Sequence, residues 1–119
     1  MKTLLIVDDE LKICELLARF FAERGFKTAT AHSGYEAMES LDRELPDYLL
    51  LDIRMPDLSG LEVLKMAKGR YPNLKVVMVT AVDDEETMRA AYALGASDFV
   101  AKPFHFNDQA WARAFFAAE

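Results

Sequence analysis

Short apolar runs alternate with longer amphipathic stretches along the whole chain. The apolar runs predict five strands, at residues 3–7, 27–31, 47–51, 75–79 and 97–101. Apolar positions at helical spacing between and after these runs predict five helices. Strands and helices that alternate in this way are typical of βα units, which build a parallel sheet covered by helices. The pattern therefore predicts an α/β fold.

Turn and capping residues set the expected helix ends. The first helix is predicted over residues 10–24, with Gly25 closing it. The spacings of Ser33 with Glu36 and of Ser59 with Glu62 are those of capping boxes, which open the second and third helices. The remaining limits are Pro46 after the second helix, Gly69 near the end of the third, Asp83 with Glu86 and then Gly95 around the fourth, and Asn107 and Ala118 around the last.

Strand polarity suggests the order of the strands. Strands 3–7, 47–51 and 75–79 are the most apolar and belong in the centre, whereas 27–31 and 97–101 belong at the edges. With right-handed crossovers, the simplest arrangement is a doubly wound, flavodoxin-like parallel sheet of order 2-1-3-4-5 with helices on both faces. The ligand crevice of such a sheet lies at the carboxyl ends of the strands, beside the switch point between strands one and three.

Four strands run into residues with useful chemistry. Asp8 and Asp9 follow the first strand, Asp52 the third, Thr80 the fourth and Lys102 the fifth. Each taken alone has an ordinary explanation as a turn, capping or surface residue, but all are expected to converge on one crevice. Clustered carboxylates attract a proton or a cation, and hard oxygen ligands with room for water suit Mg²⁺. Such a site stabilises a phosphoryl group in transfer, and a carboxylate can accept it.

Composition limits the class of protein. The 119 residues are expected to form one domain over residues 1–119. The chain has 20 acidic and 14 basic residues and a net charge of −6, so its surface alone does not attract nucleic acid or an anionic membrane. Cys14 is the single cysteine and is expected to be an apolar filler, while His32 and His105 are expected at the surface. Without a signal peptide or membrane-length apolar run, a cytoplasmic location is expected.

The joint motif resembles that of a known family, the chemotaxis-regulator-like receiver domains of two-component response regulators. The resemblance covers essentially the whole chain. The residues that carry it are Asp8-Asp9, Asp52 with Met55-Pro56 and Gly60, Thr80-Ala81, and Phe99-Val100-Ala101-Lys102-Pro103-Phe104.

This resemblance implies a phosphoryl-accepting site. Asp52 would be the phosphoacceptor, and the donor would be a phosphohistidine on a sensor histidine kinase or histidine phosphotransfer protein. Asp9, Asp52 and the main-chain carbonyl of Arg54 would bind Mg²⁺ directly, and Asp8 would act mainly through water. The domain would catalyse only its own phosphoryl transfer and dephosphorylation, and would not otherwise be an enzyme.

The resemblance also implies a conformational switch. Thr80 and Lys102 would contact phosphoryl oxygens, and Phe99 would turn inward when Thr80 moves, unless it is a plain core aromatic. The bond between Lys102 and Pro103 would be cis. The fourth helix, fifth strand and fifth helix would repack and present their shared face to a partner, which includes the option of a homodimer. Direct nucleic-acid binding is not expected.

The last helix departs from the family pattern. Gln109 stands where relatives usually carry an aliphatic residue, and Trp111, Phe115 and Phe116 crowd a stretch otherwise filled by alanine. A shifted helix register or a partner-facing aromatic patch would each account for this composition.

Three other functions are weighed against the switch. A Mg²⁺-dependent phosphohydrolase would need a general acid or base near its nucleophile, where this chain has the cation Arg54. A flavodoxin-like electron carrier shares the strand order, but Asp8 and Asp9 would repel the phosphate of its cofactor. An unphosphorylated protein-binding module of the same fold would have no use for the full set of acidic, threonine and lysine residues.

Overall fold

The computed structural model describes residues 1–80, 85–102, 104–106 and 109–116, and within them five parallel strands form one sheet in the predicted order 2-1-3-4-5. The strands are β1 (Lys2–Val7), β2 (Phe26–Ala31), β3 (Tyr48–Asp52), β4 (Lys75–Thr80) and β5 (Asp98–Ala101). All five residues of β3 are buried, as expected for a central strand, whereas the edge strand β2 exposes Lys27, Ala29 and Thr30.

Helices cover both faces of the sheet. They are α1 (Leu11–Ala22), α2 (Gly34–Arg43), α3 (Gly60–Arg70), α4 (Glu85–Ala93) and α5 (Gln109–Trp111), the last continuing as a π-helical turn over Ala112–Phe116. Successive side chains of a strand point to opposite faces, so Leu49 and Leu51 pack under α2, α3 and α4, while Leu50 packs under α1 and α5. None of the described helices combines the length and the apolar character needed to cross a bilayer.

The structure confirms most of the predicted helix caps and helix-ending glycines. The Ser33 hydroxyl accepts the backbone N–H of Glu36 at 3.1 Å, and Ser59 accepts that of Glu62 at 3.2 Å. Behind α1 and α4, Gly25 and Gly95 have φ values of 90° and 105°, the left-handed conformation in which glycine ends a helix. The predicted caps Asp83 and Asn107, the predicted end at Ala118 and the proposed cis bond at Pro103 lie outside the described residues.

The last helix, predicted to reach about Ala118, is described over residues 109–116 and becomes π-helical from Ala112. Trp111 and Phe115 are buried with 1% and 4% of their surfaces exposed, and their rings lie 5.7 and 4.8 Å from that of Phe21. The Trp111 Nε1–H donates to the carbonyl of His105 at 3.0 Å. The widened π-helical turn accompanies the packing of these large rings. Because Trp111 and Phe115 are buried, these two rings do not form the partner-facing aromatic patch that was one of the two expectations.

A distant residue completes the start of α2. Both carboxylate oxygens of Asp57, in the loop between β3 and α3, accept backbone N–H groups at 2.9 Å, one from Gly34 and one from Tyr35. With Ser33 on the third N–H, the first three free donors of the helix all have acceptors. Bonds from Tyr35 and Gly34 to the charged form lower the pKa of Asp57 to about 2.

Replacing Gly34 by alanine is expected to destabilise the fold by about 1–3 kcal/mol, because the new Cβ would lie 2.6 Å from Leu58 Cβ. Gly69→Ala is the matched control, since a Cβ there meets nothing within 4 Å. That variant should gain about 0.5–1 kcal/mol, because alanine restricts the unfolded chain. Urea unfolding measures both changes, and equal effects of the two substitutions would contradict the packing argument.

Asp57 should make stability depend on acidity. Its folded pKa of about 2 lies below the ordinary value of about 3.9, so its contribution is present above pH 4 and is lost as the pH falls toward 2. The urea midpoint of the wild type should therefore exceed that of Asp57→Asn at pH 7, and the gap should narrow between pH 4 and pH 3. A gap that stays constant down to pH 3 would show that the charge of Asp57 is not responsible.

Candidate functional site

Three carboxylates meet at the carboxyl edge of the sheet. Asp8 follows β1 and Asp52 ends β3, and because these strands are neighbours their side chains converge, as predicted. Asp8 and Asp52 are only 2% and 6% exposed, while Asp9 is exposed. One oxygen of each carboxylate lies within 4.8 Å of those of the other two.

Lys102 is the cation nearest to this cluster among the described contacts. Its Nζ lies 2.9 Å from Asp8 Oδ2, 3.4 Å from Asp52 Oδ2 and 3.9 Å from Glu10 Oε1. The Lys102 side chain is 15% exposed. Its backbone N–H donates to the Thr80 carbonyl at 2.7 Å, which holds the end of β5 against β4.

The shared ammonium does not neutralise the cluster. Burial raises the pKa of Asp52; the charge of Lys102 opposes this shift, and the neighbouring charge of Asp8 adds to it. The ion pair alone would lower that pKa, so removal from water outweighs the attraction. For Lys102, burial lowers the pKa, but the hydrogen bond to Asp8 and the charges of Asp52 and Asp8 together outweigh burial and raise it.

The loop after β3 runs very close to the strand end. A Cβ on Gly60 would lie 2.6 Å from Ile53 Cα and would also strike the Asp52 carbonyl, so a larger residue would push the start of α3 away from the site. The Gly60 N–H donates to the Ile53 carbonyl at 2.7 Å. The Arg54 N–H points to Asp52 Oδ1 at 3.4 Å, which places the backbone of the loop beside the carboxylate.

An open cavity of about 260 Å³ lies over the cluster. Its lining residues are Asp9, Glu10, Asp52, Arg54 and Lys102. The three carboxylates offer clustered oxygen ligands, and the charges of the two buried ones, Asp8 and Asp52, are not fully neutralised by Lys102. Such ligands fit a hard divalent cation that retains water. The donor set is therefore suited to Mg²⁺, in line with the prediction from the sequence.

Thr80 and Phe99, the two predicted switch residues, are both buried and lie on neighbouring strands. Thr80 ends β4 one residue beyond the Val79–Asp52 register pair and is fully buried. Phe99 pairs in register with Met78, is 7% exposed and packs in the layer under α2, α3 and α4. Its ring centroid lies 6.4 Å from that of Tyr92 on α4. Burial of Phe99 suits a core residue and a switch residue equally, so its role stays a prediction.

Sequence reasoning missed three neighbours of the aspartates. Glu10 lines the cavity, and its backbone N–H donates to Asp8 Oδ1 at 2.9 Å. The buried Cys14 thiol donates to the Asp8 carbonyl at 3.4 Å, and His32 Nδ1 lies 3.3 Å from the same carbonyl. His32, expected at the surface, is half-buried, and its contact with Asp8 was not expected. Burial, then the charge of Asp8, raise the pKa of Cys14 to about 11, which fits the predicted inert filler.

Comparison with known proteins identifies the family. Residues 4–110 match the family model described as the response regulator receiver domain. The DNA-binding transcriptional regulator NtrC of Escherichia coli is 41% identical over 103 residues, which are 87% of this chain and 22% of NtrC. The chain therefore spans about a fifth of the length of that relative. The match gives no support to the phosphohydrolase and electron-carrier alternatives.

Solved structures agree in fold. The receiver domain of NtrX from Brucella abortus superposes with a TM-score of 0.86 at 33% identity, covering 97% of this chain and 99% of that one. The response regulator TrrA from Thermotoga maritima, solved in complex with Mg²⁺-BeF, gives a TM-score of 0.82 at 36% identity, with coverages of 90% and 91%. With its sheet order and acidic cluster, the chain belongs to the family of response regulator receiver domains.

Proposed function

We propose that this chain is a phosphorylation-dependent switch in which Asp52 accepts a phosphoryl group from a phosphohistidine. The donor is a sensor histidine kinase or a histidine phosphotransfer protein. The observation that supports this best is the buried Asp52 carboxylate, which opens onto the cavity with the Lys102 ammonium 3.4 Å away. A nucleophile and a fixed cation side by side are the equipment that phosphoryl transfer needs.

Four groups would hold Mg²⁺: Asp9, Asp52 and the main-chain carbonyl of Arg54 directly, and Asp8 through water. Bound there, the ion would neutralise charge on the carboxylates and on the phosphoryl oxygens. The closeness of the carboxylate oxygens and the position of the Arg54 backbone beside Asp52 support this assignment.

The chemical step is a displacement at phosphorus. An Asp52 oxygen forms the new P–O bond as the P–N bond to the donor histidine breaks, and the released imidazole takes up a proton from water. Lys102 changes partners from Asp8 and Asp52 toward the phosphoryl oxygens, which its flexible side chain allows. The Thr80 hydroxyl turns toward the same oxygens. Both movements follow from the new charge and the three acceptor oxygens of the phosphoryl group.

The response is read on the face formed by α4, β5 and α5. When Thr80 moves, the Phe99 ring, which is only 7% exposed here, would shift with it, and the Tyr92 ring beside it would respond. Arg113 ties the segment after α5 to β5, because its guanidinium donates to both Asp98 carboxylate oxygens at 2.9–3.2 Å and to the Phe99 carbonyl at 3.2 Å. A shift from 1:99 to 99:1 between two arrangements requires about 5.5 kcal/mol of differential stabilisation.

Partners would approach from two sides. Leu11, 60% exposed, directly follows the cavity residue Glu10 and would give a cytoplasmic kinase an apolar contact near the cavity. The α4-β5-α5 face would take the output partner, which includes the option of a second copy of this chain.

Incubation with Mg²⁺ and acetyl phosphate should add one phosphoryl group to the wild type and none to Asp52→Asn, because the amide is a poor nucleophile. Intact-mass measurement checks both. Asp47→Asn is a useful control, since it removes a carboxylate that lies before the start of β3 and outside the cavity. An unmodified wild type, or modification that persists in Asp52→Asn, would contradict the proposal.

Lys102→Met should destabilise the protein in the presence of a chelator by about 3 kcal/mol, because it leaves Asp8 and Asp52 buried without their shared cation. Arg89→Met is the control: its ion pair with Glu85 is highly exposed, so the loss should stay under about 0.5 kcal/mol. Urea unfolding at pH 7 compares the two, and equal losses would show that Lys102 is not the counter-ion of the cluster.

A further inference from the structure

The loop between β3 and α3 is held by hydrogen bonds in two places. Near Asp52, the Gly60 N–H holds the Ile53 carbonyl at 2.7 Å. On the far side, Asp57 accepts the backbone N–H groups of Gly34 and Tyr35, each at 2.9 Å. These two residues lie 23 and 22 positions away along the chain, so the bonds tie the loop to a separate element.

The contact between the loop and α2 is also close in steric terms. A Cβ on Gly34 would lie 2.6 Å from the Cβ of Leu58 and 3.1 Å from the Cδ1 of Leu58, so Leu58 already occupies that space. The glycine therefore lets the loop lie directly on the first turn of α2. Asp57 therefore makes two hydrogen bonds and Leu58 makes an apolar contact with the same turn.

Between these two anchors lies Arg54, whose backbone N–H faces Asp52 Oδ1 at 3.4 Å and which lines the acidic cavity. We infer that Asp57 is a positioning residue for the cation site: by fastening the loop to α2, it holds the Arg54 backbone beside Asp52. Asp57 lies outside the cavity lining and acts only through the loop. The inference rests on the proposed function, because it assigns to the Arg54 carbonyl a part in binding the divalent cation.

If Asp57 only stabilised the start of α2, its loss would have the same effect as the loss of Ser33. Asp57 and Ser33 both accept N–H groups of the same helix turn, but Ser33 belongs to α2 itself and does not hold the loop. Loss of either acceptor weakens the start of α2. Of the two, only the loss of Asp57 removes hydrogen bonds between the loop and α2. Ser33→Ala is therefore the matched control for helix stability.

The test is calorimetric titration of MgCl₂ alone, at pH 7, into the wild type, Asp57→Ala and Ser33→Ala. Residues that orient metal ligands typically change affinity by at least about tenfold, so the Kd for Mg²⁺ should rise about tenfold in Asp57→Ala. Ser33→Ala should stay within about twofold of the wild type. Asp57→Asn, which keeps one acceptor oxygen, should fall between the two and replaces Asp57→Ala if that variant does not fold.

The outcomes separate the two proposals. A wild type that does not bind Mg²⁺ overturns the proposed function. Binding by the wild type with an unchanged Kd in the Asp57 variant overturns only the positioning role. An equal loss of affinity in Ser33→Ala overturns it as well, because the effect would then pass through the stability of α2.

Discussion

The structure depends on one electrostatic constraint: two buried carboxylates share a single ammonium. Asp8 and Asp52 sit on neighbouring central strands, and Lys102 reaches them from β5, across β4. One positive charge does not balance the acidic cluster, so the cavity retains an attraction for further cations. Under the proposed function, the same ammonium would be the group that meets the phosphoryl oxygens.

Much of this arrangement can be predicted from the sequence because parallel sheets impose strong rules. Apolar runs reveal buried strands, right-handed crossovers limit their order, and the carboxyl ends of neighbouring strands must meet. These rules bring Asp8, Asp52 and Lys102 together without any knowledge of side-chain contacts. The caps at Ser33 and Ser59 are equally predictable, since each depends on a spacing of three residues within a single turn.

The remaining features depend on where loops and rings lie in three dimensions. The bonds of Asp57 to α2 join segments whose approach no local pattern encodes. The contact of His32 with the Asp8 carbonyl arises because the turn after β2 lies against the end of β1. The π-helical turn after Trp111 accompanies the packing of large rings against α1, which outweighs the local preference for regular helix.

The position of the aromatic layer has a consequence for biosynthesis. Phe21 from α1, Phe26 from β2 and Tyr48 from β3 all lie within ring-contact distance of Phe115, so early parts of the chain complete their core against a late one. While Trp111 and Phe115 are still inside the ribosome, the nascent chain exposes the rings of Phe21, Phe26 and Tyr48 to solvent. Chaperones that recognise aromatic surface would therefore have their longest opportunity on this side of the sheet, before the last helix emerges.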